Sequence, residues 1–229
     1  MVIASNENLF KTARRNMLLG QLIPNQVNDS RILNAMSEIP REQFLPERLQ
    51  SRAYSDETIY IDDRRILFSP RIFARLLLLA ELSENDFVLD VKSGSGYSAA
   101  VMAGMTKAVV ALESDSALCE KAQQSLIDAE IDNVAVLNQD PDKGFASQSP
   151  FDVIFIEGII EHIPEALLSQ LAENGRLICI VAQNQSRTAH ATKFVKRDGN
   201  LMHSVSFDLD LSGCHRDLSY KRFIFETVS

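Results

Sequence analysis

The residues with chemistry to offer gather in one stretch, Asp90-Val91-Lys92-Ser93-Gly94-Ser95-Gly96-Tyr97. An apolar run ending at Val91 leads into a glycine-rich bend and then into alanine-rich sequence of helical propensity, so the segment reads as strand, tight loop and helix. Gly94 and Gly96 remove side chains where backbone must approach a ligand closely. The helix from Tyr97 would turn its free N–H groups toward the space above the strand. Taken alone, Gly94-x-Gly96-x-x-Ala99 matches a dinucleotide fingerprint, a pattern of low specificity.

Two features shift that reading toward S-adenosylmethionine. Asp90 lies among the last apolar residues of its strand and the glycines follow Lys92-Ser93, so an acid stands where it can meet a cationic ligand. Val109 to Glu113 reads as the next strand, and its terminal carboxylate has two oxygens to accept from both hydroxyls of a ribose. The plainer alternative is a Rossmann-like repeat with surface acids, in which Glu113 is a strand-end carboxylate that contributes little to stability. Ser93 and Ser95 belong to the same candidate cofactor loop. Glu157 follows an apolar strand on the ligand side, where it could bind substrate or neutralise Lys92. Tyr97, at the loop-to-helix junction, is placed to pack under a cofactor or to cover a substrate. His162 reads as a surface histidine.

Those residues need a scaffold, and the flanking pattern supplies one. Leu9 to Leu22 reads as an amphipathic helix ending before Pro24, Asp29-Ser30 caps a second that Pro40 stops, and Ser69-Pro70 opens a third. Beyond the glycine loop come strand 108–112, helix 116–129, strand 133–137, strand 151–156, helix 164–172 and strand 176–181. Segments 190–197 and 200–208 then form a hairpin about Asp198-Gly199, with Lys221 to Thr227 as a last strand. The expected class is α/β: a Rossmann-like fold with a mostly parallel central sheet and an antiparallel C-terminal hairpin. Residues 1–68 read as a helical N-terminal extension on the substrate side and 69–229 as the Rossmann-like domain, one structural unit overall.

Composition narrows the partners. A net charge of −8 over 229 residues, with no block of Lys and Arg, makes a nucleic-acid backbone a poor one. The leucine run Leu76 to Leu79 is too short to span a bilayer and the first residues lack a leader pattern, so no membrane partner and a cytoplasmic location are expected. Cys119, Cys179 and Cys214 are odd in number and widely spaced, which suggests neither a disulfide framework nor a metal site.

A longer series of motifs carries a specific resemblance. Asp29-x-x-Ile32-Leu33-x-Ala35-Met36, Ile39-Pro40-Arg41-Glu42-x-Phe44-Leu45-Pro46 and Ala53-Tyr54-Ser55-Asp56 are followed by Ser93-Gly94-Ser95-Gly96-Tyr97-x-Ala99-Ala100, and then by Pro150-Phe151-Asp152-x-Ile154, Ile163-Pro164-x-Ala166-Leu167-Leu168 and Gly175-Arg176-Leu177. In this order and over most of the chain they resemble the protein-L-isoaspartate O-methyltransferase family, class I methyltransferases that esterify a carboxylate of isoaspartyl protein. The resemblance implies S-adenosylmethionine as cofactor, with Asp90, Lys92, Ser93, Gly94, Ser95, Gly96 and Glu113 around it. Asp140 would approach the adenine, although Asp140-Pro141-Asp142 is also an ordinary turn. The chain departs from the family pattern at Lys92, where a glycine is usual, and at Glu157-Gly158-Ile159. It departs again at Arg65-Ile66-Leu67-Phe68-Ser69-Pro70, which puts Phe68 in the place of a serine. Ser69 is the shifted candidate for the catalytic hydroxyl, better explained as a helix cap. The resemblance thus implies a methyltransferase of isoaspartyl protein; the alternative is a degenerate member kept as a protein-interaction or nucleotide-binding module.

Overall fold

The computed structural model describes residues 2–62, 65–182 and 187–211. In chain order the helices are α1 (Val2–Met17), α2 (Ser30–Glu38), α3 (Glu47–Gln50), α4 (Pro70–Ala80), α5 (Tyr97–Ala103), α6 (Ser116–Asp128) and α7 (Glu165–Ser169). The strands are β1 (Ile59–Tyr60), β2 (Ile66–Leu67), β3 (Phe87–Val91), β4 (Ala108–Glu113), β5 (Val134–Asn138), β6 (Phe151–Ile160), β7 (Leu171–Ala182), β8 (Thr188–Arg197) and β9 (Asn200–Asp210). Among the described residues, one sheet takes the order β5-β4-β3-β6-β7-β8-β9, and β1 pairs with β2 in a small antiparallel ribbon.

β3 to β7 run parallel, whereas β8 and β9 add antiparallel. The strand order reverses beside β3, and in open α/β sheets ligands bind beyond the carboxyl ends at such a point. Alternation sends Val88, Val109, Val153 and Phe155 into one apolar layer with α4, α5 and the N-terminal helices, and Leu89, Val110, Ile154 and Leu177 into a second layer with α7. Met17, Leu22, Ile32, Met36 and Phe44 share the first layer, so the N-terminal segment contributes to the same core as the sheet.

Local signals set several boundaries. The Asp29 carboxylate accepts from the Arg31 amide at 2.8 Å, and the Ser69 hydroxyl accepts from the Ile72 amide at 3.4 Å with Pro70 in the first helical position. Asp198 and Gly199 both take left-handed backbone, φ 51° and 74°, as a two-residue hairpin turn requires.

Three expected elements come out differently, one of them β7, which opens at Leu171 rather than at 176. The helix expected over 164–172 spans only Glu165–Ser169, because the Gln170 carbonyl accepts from the Phe151 amide at 2.9 Å and the chain passes into β7. β6 runs four residues beyond the expected Ile156, through a register shift between Phe155 and Ile159 that holds Gly158 at φ 111°. Such a bulge re-aims side chains, and Glu157 lies within it. The expected strand from Lys221 to Thr227 and Cys214 lie outside the described residues.

Candidate functional site

Strand alternation puts Asp90, Glu113 and the approach to Glu157 on the same face of three neighbouring strands. Asp90 pairs in register with Ala111 on β4 and with Phe155 on β6, so Glu113 and Glu157 each stand two residues further along a flanking strand. All three acids are buried, Asp90 and Glu113 completely. The glycine loop folds over the carboxyl end of β3 beside them, with Lys92, Gly94 and Gly96 at φ 63°, 55° and 86°. A Cβ on Gly96 would come within 3.0 Å of the Ala122 side chain, so a glycine there lets the loop pack on α6.

Glu113 is surrounded by donors. Its Oε2 accepts from the Gly94 amide at 3.0 Å and from Arg65 Nε at 2.7 Å; its Oε1 accepts from the Asp115 amide at 2.8 Å and from Arg65 Nη2 at 2.5 Å. Arg65 Nη2 also donates to Ser114 Oγ at 3.0 Å. Burial opposes the charge of Arg65, but the Glu113 carboxylate more than offsets it and raises the guanidinium pKa. Glu113 is therefore not a solvated strand-end acid: it anchors the loop, the start of α6 and the β1–β2 ribbon at once.

Asp90 and Glu157 have the opposite surroundings. Asp90 Oδ2 accepts from Ser98 Oγ at 2.6 Å, whereas its Oδ1 and both oxygens of Glu157 are buried without a hydrogen-bond partner. The Ser98 hydroxyl has one proton to give, and Asp90 receives it. Burial, opposed by Ser98 and reinforced by the charge of Glu113, lifts the Asp90 carboxyl to about 7. Burial and then the neighbouring Asp90 lift Glu157 well above the ordinary carboxylate range, against the pull of Arg41. Two carboxylates this close and this dry do not both ionise.

The sequence motifs around Arg41 hold this region from below. Arg41, fully buried, donates from Nε to the Ala53 carbonyl at 2.7 Å and from Nη2 to the Phe68 carbonyl, and lies 4.8 Å from the centre of the Tyr97 ring. Glu42 accepts from the Tyr54 hydroxyl and from Arg14 at 3.2 Å, which ties α1 to the same layer. The Tyr97 ring packs inward against Phe44 and Phe73, at centroid distances of 5.7 and 5.5 Å, and its hydroxyl is unpaired. Phe68 is buried, and the Ser69 hydroxyl serves as the cap of α4.

The remaining expected residues line or border an outer cleft. Arg65, Lys92, Ser114, Asn138, Gln139, Asp140, Pro141 and Asp142 enclose about 400 Å³. Lys92 Nζ lies 3.5 Å from Asp142 Oδ1, and the charges acting on Glu157 include those of Asp90 and Arg41. Asp140 accepts from the Asp142 amide at 3.1 Å and so makes the turn its sequence also suggested. The Ser93 hydroxyl contacts the Leu112 carbonyl at 3.4 Å, and that of Ser95 is buried and unpaired. Sequence reading did not single out Arg41, Arg65 or Ser98. Arg41 and Arg65 act on partners distant in sequence, whereas Ser98 reaches Asp90 eight residues back across the glycine loop; the departure at Arg65 from an otherwise matching segment was the one signal for it.

Comparison with known proteins gives a consistent picture. Residues 13–208 match the family described as protein-L-isoaspartate(D-aspartate) O-methyltransferase. The protein-L-isoaspartate O-methyltransferase of Proteus mirabilis (strain HI4320) is 34% identical over 191 residues, covering 83% of this chain and 90% of that protein. That of Aliivibrio fischeri (strain ATCC 700601 / ES114) is 35% identical over 180 residues, covering 78% and 86%. A solved protein-L-isoaspartate O-methyltransferase superposes with a TM-score of 0.76 at 30% identity, covering 86% of this chain and 64% of that one. A Plasmodium falciparum protein solved in complex with S-adenosyl-L-homocysteine shares the fold, with a TM-score of 0.71 at 24% identity over 87% of this chain and 94% of that one.

Proposed function

The chain belongs to the protein-L-isoaspartate(D-aspartate) O-methyltransferase family, and from that premise we propose that it transfers a methyl group from S-adenosylmethionine to a carboxylate of isoaspartyl protein or peptide. The observation that carries this reading is the Gly94–Gly96 loop bordered by Asp90 and Glu113 at the carboxyl edge of the sheet, inside the region matched to the family.

The residues present fit such a cofactor. Asp90 has a buried, unpaired oxygen that a cationic ligand would satisfy, and Glu113 has the two oxygens a ribose diol needs. When bound, the cofactor supplies a methyl group on a cationic sulfur. An acceptor carboxylate, with a pKa near ~4, is ionised at neutral pH and needs no general base. What the chain contributes is alignment and exclusion of water, which the buried setting of Asp90, Tyr97 and Phe68 provides. Ser69 is spent on the cap of α4 and has no proton-transfer task in this scheme.

Two ion pairs favour the second reading, a fold retained for interaction or nucleotide binding: Arg65 on Glu113 and Lys92 beside Asp142. Calorimetric titration with S-adenosylmethionine and S-adenosylhomocysteine, followed by mass analysis of an isoaspartyl peptide and its aspartyl twin, separates the two. Binding with transfer to the isoaspartyl peptide alone supports the enzyme; folded protein that binds but transfers nothing supports the module. Among the described residues no helix is long and apolar enough to cross a membrane. The reading assigns the work to the cytoplasm, with support from the odd, widely spaced cysteines.

A further inference from the structure

A carboxylate offers about four lone-pair positions. On Glu113 the Gly94 and Asp115 amides take two and the Arg65 fork takes two, at 2.7 and 2.5 Å, with the Ser114 hydroxyl a longer fifth contact on Oε1 at 3.5 Å. A ribose hydroxyl can then donate to this carboxylate only if one of those donors withdraws. The amides cannot do so cheaply, because they belong to the loop after β3 and to the entry into α6. Arg65 is on a side chain, next to β2, and borders the open cleft that also contains Asp140 and Asp142. Its guanidinium is the exchangeable donor.

We propose that Arg65 sets the cofactor affinity of this chain: it holds Glu113 in an internal ion pair that the ribose diol must displace before it can bind. The proposal rests on the reading of Glu113 as the ribose ligand and deepens it. Two independent features fit. Ile61, which follows β1 in the same ribbon, faces Gly94 of the glycine loop, its Cδ1 lying 4.0 Å from where a Cβ on Gly94 would stand. The ribbon therefore covers the loop at one place and pins Glu113 at another. In addition, a fork-shaped cation matches both carboxylate oxygens as a vicinal diol does, so the two compete for one geometry rather than binding side by side. The ligand class that feels this competition is a nucleoside with free 2′ and 3′ hydroxyls.

The test uses the full chain and its Arg65→Gln variant, titrated with S-adenosylhomocysteine, which lacks the sulfonium charge. Loss of the competing pair should tighten binding roughly ten- to a hundredfold. Arg65→Lys, which keeps a cation beside the buried carboxylate but loses the fork, should fall between and covers the case in which the glutamine variant does not fold. Adenosine and 2′,3′-dideoxyadenosine provide the specificity control: the gain should appear with adenosine and largely vanish without the hydroxyls. Unchanged or weaker binding in folded Arg65→Gln overturns the proposal, as does an equal gain for both nucleosides. So does a complete lack of binding by every folded variant. Tighter binding without methyl transfer to an isoaspartyl peptide leaves the proposal standing and removes the substrate reading, so the two can fail separately.

Discussion

The carboxyl edge of the sheet contains two kinds of buried acid within a few residues of each other. Glu113 has its lone pairs filled by two backbone amides and a guanidinium fork, whereas Asp90 has one hydroxyl and Glu157 has nothing. Burial alone therefore does not tell what an acid is for. The saturated acid acts as a structural tie that a ligand must break into, and the unsaturated pair is a set of unmet acceptors that a donor would complete.

The sharpest way to break that contrast is at Glu113. Glu113→Gln keeps the size but removes the charge, leaving the largely buried Arg65 without its counter-ion. Removing one partner of a buried pair costs about 3–5 kcal/mol, on the order of 10 °C in melting temperature for a chain of this size. A strand-end surface acid would cost almost nothing, so differential scanning calorimetry decides. A melting temperature within a degree of the parent would mean that the fork is not formed in solution.

The opposite sign is expected on the other side. Asp90 is raised to about 7 from an unfolded value near ~3.9, so between those values the unfolded chain releases a proton that the folded chain keeps. Stability thus declines as pH rises from about 4 toward 7, then levels. Glu157, raised in the same direction, adds to the decline. Glu157→Met removes a buried carboxyl whose oxygens have no hydrogen-bond partner, and should stabilise by about 1–3 kcal/mol at neutral pH while taking away Glu157's share of that slope. Urea midpoints at pH 5 and pH 7.5 check both; a variant less stable than the parent at each pH would show that Glu157 has a partner after all.

How far these contrasts could be read from sequence depends on their range. Asp29, Ser69-Pro70 and Asp198-Gly199 act through neighbouring residues, and their caps and turn were legible without a structure. The succession of strands and helices along the chain and the carboxyl-edge position of Gly94 and Gly96 followed from alternation of patterns, whereas the order of strands across the sheet did not. What was not legible depends on pairing across the chain: the Gln170 carbonyl is drawn to Phe151, the bulge at Gly158 turns Glu157 inward, and Arg65 crosses to Glu113. Local propensity carries no signal for such contacts.

A smaller effect isolates the single donor in the unsaturated pair. Ser98→Ala deprives Asp90 Oδ2 of its hydrogen bond, and because Asp90 is largely protonated below its raised pKa the bond is closer to a neutral one, worth about 1 kcal/mol. Its loss should also move the Asp90 titration upward, which carbon-detected NMR of the carboxyl group would follow. A downward shift would mean that Ser98 accepts from Asp90 rather than donating to it.

The smallest expected change concerns Lys92, the cation that belongs to neither class of acid. Its backbone is left-handed, φ 63°, where a side chain costs about 1 kcal/mol, and its ammonium lies 3.5 Å from the exposed Asp142. Lys92→Gly removes the strain and the pair together and also loosens the unfolded chain, so its net effect should be under about 1 kcal/mol in either direction. Lys92→Met keeps the strain and removes the charge. The glycine variant should therefore be the more stable of the two, by less than the full strain because of the added chain entropy, while both bind S-adenosylhomocysteine within about threefold of the parent. That outcome would leave Arg65 as the cation that controls Glu113. A large gain in affinity from either change at Lys92 would instead put the competing charge on the loop, and the saturation of Glu113 would no longer explain how this edge is held closed.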